Sequence, residues 1–168
     1  DYLYVNDANF GGQKSNLFVV KSMEIDYTIG SNGTVKKKVT IDYKNPKPYS
    51  DCNLERGGLC LNATLRNYQR LLVPKGSVLD SSKGSQVKVG TSEDLGKTVF
   101  DAFFTVNPLG KATMTYEYTL PFKPSGGVLP LLIQKQPGVD NIPTTIKVNG
   151  KKMPVIDLRS DVELKLSY

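Results

Sequence analysis

Apolar and polar residues alternate with a period of two over most of this chain. Val19, Lys21, Met23, Ile25, Tyr27 and Ile29 fall on one side of a stretch whose other side is Val20, Ser22, Glu24, Asp26 and Thr28. Ser31-Asn32-Gly33 follows, a turn whose Asn-Gly pair tolerates positive φ. The alternation then resumes with Val35, Val39, Ile41 and Tyr43 inward and Lys36, Lys38, Thr40 and Asp42 outward. Side chains on a strand point to opposite faces in turn, so these two stretches predict a β-hairpin.

Asn45-Pro46-Lys47-Pro48 interrupts the pattern, because proline cannot donate to a ladder. Residues 46–66 read as a long loop. Strands are predicted at 68–73 and around 86–90, separated by a turn over 80–85. A second hairpin runs Thr98, Phe100, Ala102, Phe104 and Val106, turns at 107–110, and returns through Ala112, Met114, Tyr116, Tyr118 and Leu120. Shorter strands are expected at 129–135, 144–148 and 162–166, and no window carries a sustained helical period. Strands spaced this closely, each with one apolar face, imply two sheets packed face to face. The expected fold is an all-β, immunoglobulin-like sandwich of about seven to nine mostly antiparallel strands. Residues 1–16, polar and glycine-rich, read as a leading segment or linker, and residues 17–168 as the single sandwich domain.

Composition removes most familiar chemistry. The chain has no histidine and no tryptophan, and two cysteines. Histidine-based triads and histidine metal sites are therefore excluded, and two cysteines cannot build a structural zinc site. The carboxylate pairs Asp51/Glu55 and Glu93/Asp94 sit in polar loops, where turn chemistry accounts for them. No EF-hand-type calcium loop occurs. Neither a catalytic residue nor a metal or cofactor site is expected, and the protein is read as a non-enzyme. Two Asn-x-Thr sequences, at Asn32 and Asn62, match the glycosylation acceptor pattern.

Cys52 and Cys60 flank a short polar, glycine-containing loop and predict a structural disulfide, hence an oxidising, extracytoplasmic location. The net charge is +6, with lysines spread along the chain rather than gathered beside aromatic residues. That distribution argues against nucleic acid. It leaves an anionic wall polymer as a candidate partner, with Lys36, Lys38 and Lys14 as candidate contacts. Lys21 and Lys37 fall on the apolar faces of their strands, an odd place for lysine. Two explanations stand: strand-end positions that snorkel to water, or a buried lysine cross-linked to an asparagine with a carboxylate assisting.

The stretch Asp1-Tyr2-Leu3-Tyr4-Val5-Asn6-Asp7-Ala8-Asn9-Phe10-Gly11-Gly12-Gln13-Lys14-Ser15-Asn16 carries more specific information. It resembles the D-x-L-x-V-x-x-A-N-x-G-G-x-K-S-[DN] segment of a bacterial envelope family known as domain of unknown function 4012. Residues 66–77 (Arg66 to Ser77), 95–100 (Leu95 to Phe100) and 116–121 (Tyr116 to Pro121) also resemble its C-terminal part. The resemblance implies a membrane-anchored cell-surface protein of Gram-positive or candidate-phyla-radiation bacteria. It further implies that a domain similar to glycopolymer transferases precedes this one. The expected role is an extracellular scaffold or interaction module, in contact with another surface protein or with the wall polymer. The alternative is a wall-polymer or glycan-binding accessory domain of the upstream transferase-like domain. Any membrane contact would come through an anchor outside this chain.

Overall fold

A computed structural model describes residues 1–168, which form two mixed β-sheets packed face to face. In chain order the strands are β1 (Tyr2–Asn9), β2 (Val20–Ile29), β3 (Val35–Lys44), β4 (Leu65–Pro74), β5 (Val78–Lys83), β6 (Gly90–Asp94), β7 (Lys97–Val106), β8 (Lys111–Thr119), β9 (Val128–Gln134), β10 (Ile142–Val148), β11 (Lys151–Lys152), β12 (Ile156–Leu158) and β13 (Val162–Ser167). The first sheet has the order β13-β9-β1-β4-β7-β6, and the second β11-β10-β2-β3-β8-β5, with β12 pairing β10. Most neighbours are antiparallel, but β1 lies parallel to β9 and β2 parallel to β10.

Alternation places the core as the sequence implies. Met23, Ile25 and Tyr27 of β2, Val39, Ile41 and Tyr43 of β3, and Phe100, Ala102 and Phe104 of β7 are all buried in one continuous cluster. The Tyr43 and Phe104 rings meet across the two sheets with centroids 4.8 Å apart. Sheet-on-sheet packing of this kind removes most of each inner face from water, at roughly 25 cal/mol per Å² of apolar surface.

Two expectations need correction. Residues 1–16 are not a leading linker. Residues 2–9 form β1, an interior strand of the first sheet, with its antiparallel register to β4 running from Tyr4↔Leu72 to Asn9↔Asn67. The strand was hidden because its inward row, read from the residue just before it, is Asp1, Leu3, Val5, Asp7, two carboxylates bracketing two apolar residues. The strand count is also higher than expected. β5 occupies much of the predicted 80–85 turn, and β6 begins where the 86–90 strand was expected to end. Both are sheet edges with almost wholly exposed side chains, so neither has an apolar face to read. Gly84, just past β5, has φ of 104°, and a Cβ there would lie 2.0 Å from the Thr113 carbonyl oxygen; only glycine lets the backbones approach this closely.

Candidate functional site

The disulfide between Cys52 and Cys60 is present and both sulfurs are paired. It closes a surface loop in which the Asn53 side chain accepts from the Arg56 N–H and Gly57 ends a single turn at φ 77°. Such a bond persists in oxidising compartments, so the domain belongs to a non-cytoplasmic protein.

The notable polar chemistry lies between the sheets. Lys21 and Lys37 both leave the β2–β3 hairpin on its inner face, each directly opposite a tyrosine: Lys21↔Tyr43 and Tyr27↔Lys37. Two carboxylates meet them, Asp7 on the β1 inner face and Asp1 immediately ahead of β1. Lys37 Nζ lies 2.8 Å from Asp1 Oδ2, and both side chains are completely buried. The Tyr27 hydroxyl donates to the same oxygen at 2.7 Å. Lys37 also sits over the rings of Tyr27 and Tyr118, at 5.1 and 5.8 Å from their centroids. Burial holds this ammonium well below the usual lysine range, and it pushes the Tyr27 and Tyr118 hydroxyls well above the usual tyrosine range. The Tyr118 hydroxyl is buried with no hydrogen-bond partner. The snorkelling explanation is thus wrong for Lys37, which reaches no water.

The other end is built from the same three residue types with amides added. Lys21 Nζ lies 2.5 Å from Asp7 Oδ2, with little of either side chain exposed. Tyr43 donates to Asp7 at 3.0 Å. Asn67 Nδ2 donates to Asp7 Oδ1 at 2.7 Å, and Gln69 Nε2 to the same oxygen at 3.0 Å. Gln69 also donates to the Tyr43 hydroxyl, and its Oε1 accepts from Tyr116 at 2.8 Å. Burial, reinforced by the neighbouring Asp7 charge, pushes the Tyr43 hydroxyl well above its ordinary value. β1 outruns β9 here, and the Gln136 side chain continues the ladder, accepting from the Asp7 N–H and donating to the Asp7 carbonyl at 2.9 Å each. A cavity of about 230 Å³ lies against this cluster, bounded in part by Asp7, Lys21, Tyr43, Asn67, Asn16 and Gln136. That is room for several water-sized molecules.

The sequence pointed to Lys21 and Lys37 but missed their partners. Asn67 and Gln69 share the inward face of β4 with Leu65, Leu71 and Val73, so two amides in an apolar row were the available signal. The candidate polymer contacts are not brought together. Lys36 and Lys38 project from the outer face of β3 near its hairpin turn, whereas Lys14 precedes β2, whose first residue pairs with the far end of β3. Lys38 is already paired with Glu117 at 3.3 Å. Elsewhere on that face Lys147 pairs with Glu24 at 3.0 Å. Glu93 and Asp94 are likewise held in surface ion pairs, with Lys75 and Arg70 at 2.9 Å. Asn62 is buried and hydrogen-bonded to Asn45 and the Pro48 carbonyl, which removes it as a glycan acceptor.

No protein-family model matches the chain, and no curated protein matches it. Among solved structures, a putative nutrient-binding protein from Legionella pneumophila aligns over 98% of this chain and 72% of its own, at 9% identity and a TM-score of 0.47. An M1 zinc metallopeptidase variant from Deinococcus radiodurans, bound to a Tyr-Ser-Ala substrate, aligns over 77% of this chain at 12% identity and a TM-score of 0.39. The alignment spans about a third (32%) of the metallopeptidase chain.

Proposed function

We propose that this chain is a non-enzymatic, extracellular β-sandwich module of a membrane-anchored bacterial surface protein. In this reading it corresponds to the C-terminal part of the envelope family it resembles, and acts as a scaffold or interaction domain. One observation carries the proposal: the buried charged groups are spent on each other across the sheet interface. Lys21 with Asp7, and Lys37 with Asp1, join the second sheet to the first. The disulfide adds a covalent closure suited to an oxidising exterior. Such features stiffen a domain that must persist outside the cell.

The alternative, binding to an anionic wall polymer, draws its support from the net positive charge. Against it stand the dispersed lysines and the carboxylates interleaved among them. Asp26, Asp80 and Glu117 surround Lys36 and Lys38.

Two measurements test the pair of readings. Antibody against the folded domain is expected to label intact cells of the source organism, and labelling only after permeabilisation would overturn the surface role. Purified domain is expected to pass through immobilised lipoteichoic acid at low salt. Retention that salt abolishes, and that is lost in Lys36→Glu/Lys38→Glu, would replace the scaffold reading with polymer binding.

A further inference from the structure

The Asp7 cluster contains what an amide-forming reaction needs: an amine, an acyl group and a proton carrier between them. Lys21 Nζ touches one oxygen of the Asp7 carboxylate at 2.5 Å, and Asn67 Nδ2 touches the other at 2.7 Å. Asn67 is 1% exposed, so bulk water does not compete for its acyl carbon. Lys21 comes from β2 in the second sheet and Asn67 from β4 in the first, while Asp7 on β1 lies alongside β4. The adjoining cavity gives a small leaving molecule somewhere to go.

We propose that Lys21 and Asn67 form an intramolecular isopeptide bond, with Asp7 carrying the protons. Lys21 passes one proton along its contact to Asp7, leaving a neutral amine. Nζ then attacks Cγ of Asn67, and the new C–N bond forms as the carbonyl electrons move onto Oδ1. A second proton leaves Nζ and reaches Nδ2 through Asp7, the carbonyl re-forms, and the Cγ–Nδ2 bond breaks. Ammonia departs with the remaining proton as ammonium, and Asp7 is again a carboxylate. Nothing is oxidised or reduced, and the chain loses one ammonia. Asp7 acts here as the general acid and base, which its position between both nitrogens allows.

The Lys37–Asp1 pair is a built-in control. No side-chain amide and no second carboxyl group touches it, so it stays an ion pair. The bond between Lys21 and Asn67 forms whatever the module contacts in the cell, so its test is independent of the surface role.

The experiment is intact-mass measurement on the folded, full chain, followed by proteolysis and fragment sequencing. Wild type is expected to be lighter than its sequence by one ammonia and to yield a branched peptide joining Lys21 to Asn67. Lys21→Arg, Asn67→Ala and the near-isosteric Asp7→Asn are each expected to show the full mass. Lys37→Met is expected to keep the loss of ammonia. An unmodified mass for folded wild type overturns the proposal. So does a branch mapped to Gln69, or a loss traced to a succinimide at Asn32 or Asn149, both of which precede glycine.

Discussion

The two ends of the sheet interface use the same parts and differ in what surrounds them. Each has a lysine and a tyrosine paired across the β2–β3 hairpin and an aspartate, Asp7 from the β1 inner face or Asp1 just ahead of β1. Around Asp1 the carboxylate accepts from Lys37, the Tyr27 hydroxyl and the Tyr2 N–H, the lysine sits among aromatic rings, and no side-chain amide reaches the pair. Around Asp7 β4 contributes Asn67 and Gln69, and β8 contributes Tyr116. A buried ion pair among rings is stable only while both partners remain. One among amides has spare hydrogen bonds and an acyl group within reach of chemistry. The difference arises from two residues on one strand.

Alkaline pH challenges both ends at once and has the largest expected effect. Tyr27 and Tyr118 at one end, Tyr43 and Tyr116 at the other, have hydroxyls raised by burial. A raised folded-state value means the contribution is complete below about pH 10, where unfolded tyrosine titrates, and is lost as pH climbs towards the folded-state values. Lys37 has the opposite sign. Its lowered value disfavours the fold at low pH, and that handicap fades as pH approaches about 10.4, where unfolded lysine titrates. Lysine offsets one tyrosine only below about pH 10.4; above it four tyrosines are expected to lower stability by up to about 5.4 kcal/mol per pH unit at full slope. Denaturant midpoints between neutral pH and pH 11, with tyrosinate absorbance, measure this. A flat profile above pH 10 would mean the hydroxyls are not sequestered.

Removing one lysine separates the two ends. Lys37→Met removes the countercharge of the completely buried Asp1 carboxylate and is expected to cost about 3–5 kcal/mol, most of it recovered in Asp1→Leu/Lys37→Met. In an Asn67→Ala background, where no isopeptide can form, Lys21→Met is expected to cost only about 1–2 kcal/mol, because the Lys21–Asp7 pair is partly reached by water whereas the Lys37–Asp1 pair is completely buried. Equal costs in urea titrations would dissolve the distinction. In the native background Lys21→Met also loses the cross-link, worth about 4 kcal/mol for a loop of 67 − 21 = 46 residues in the chain-entropy model.

The smallest effect is the most pointed. Tyr118→Phe deletes a buried hydroxyl with no partner and is expected to stabilise by about 1 kcal/mol. Tyr116→Phe removes the donor to Gln69 Oε1 and is expected to destabilise by about 1 kcal/mol. The same chemical change on the same strand, two residues apart, should therefore have opposite signs in thermal or urea unfolding. Matching signs would refute the contrast.

The interior of the fold was legible wherever a strand carries a predominantly apolar inner face, as β2, β3, β7 and β8 do despite Lys21, Lys37 and Thr98. It was illegible in β1, where Asp1 and Asp7 break the apolar row, and in β5 and β6, where an edge leaves nothing to bury. The candidate site was half visible. A lysine on an apolar face is conspicuous in one strand, but its partner lies on another strand, and pairing depends on register between sheets that a periodicity does not encode. Asn67 stands 60 residues from Asp7 in the chain, yet hydrogen-bonds to it.

The parallel pairing of β1 with β9 sets a timetable for how the molecule comes into being. Tyr2 pairs with Leu132, so β1, once synthesised, waits for 132 − 2 = 130 further residues before its second flank is covered. At ordinary translation speeds of about 5–20 residues per second, that wait is roughly 6 to 25 seconds. Through that interval one edge of an interior strand, bearing Leu3 and Val5 between its two acids, stays open to strangers. Asp1 and Asp7 at either end of the row give the nascent strand charges that discourage mispairing, before they become the fastening of the finished sandwich.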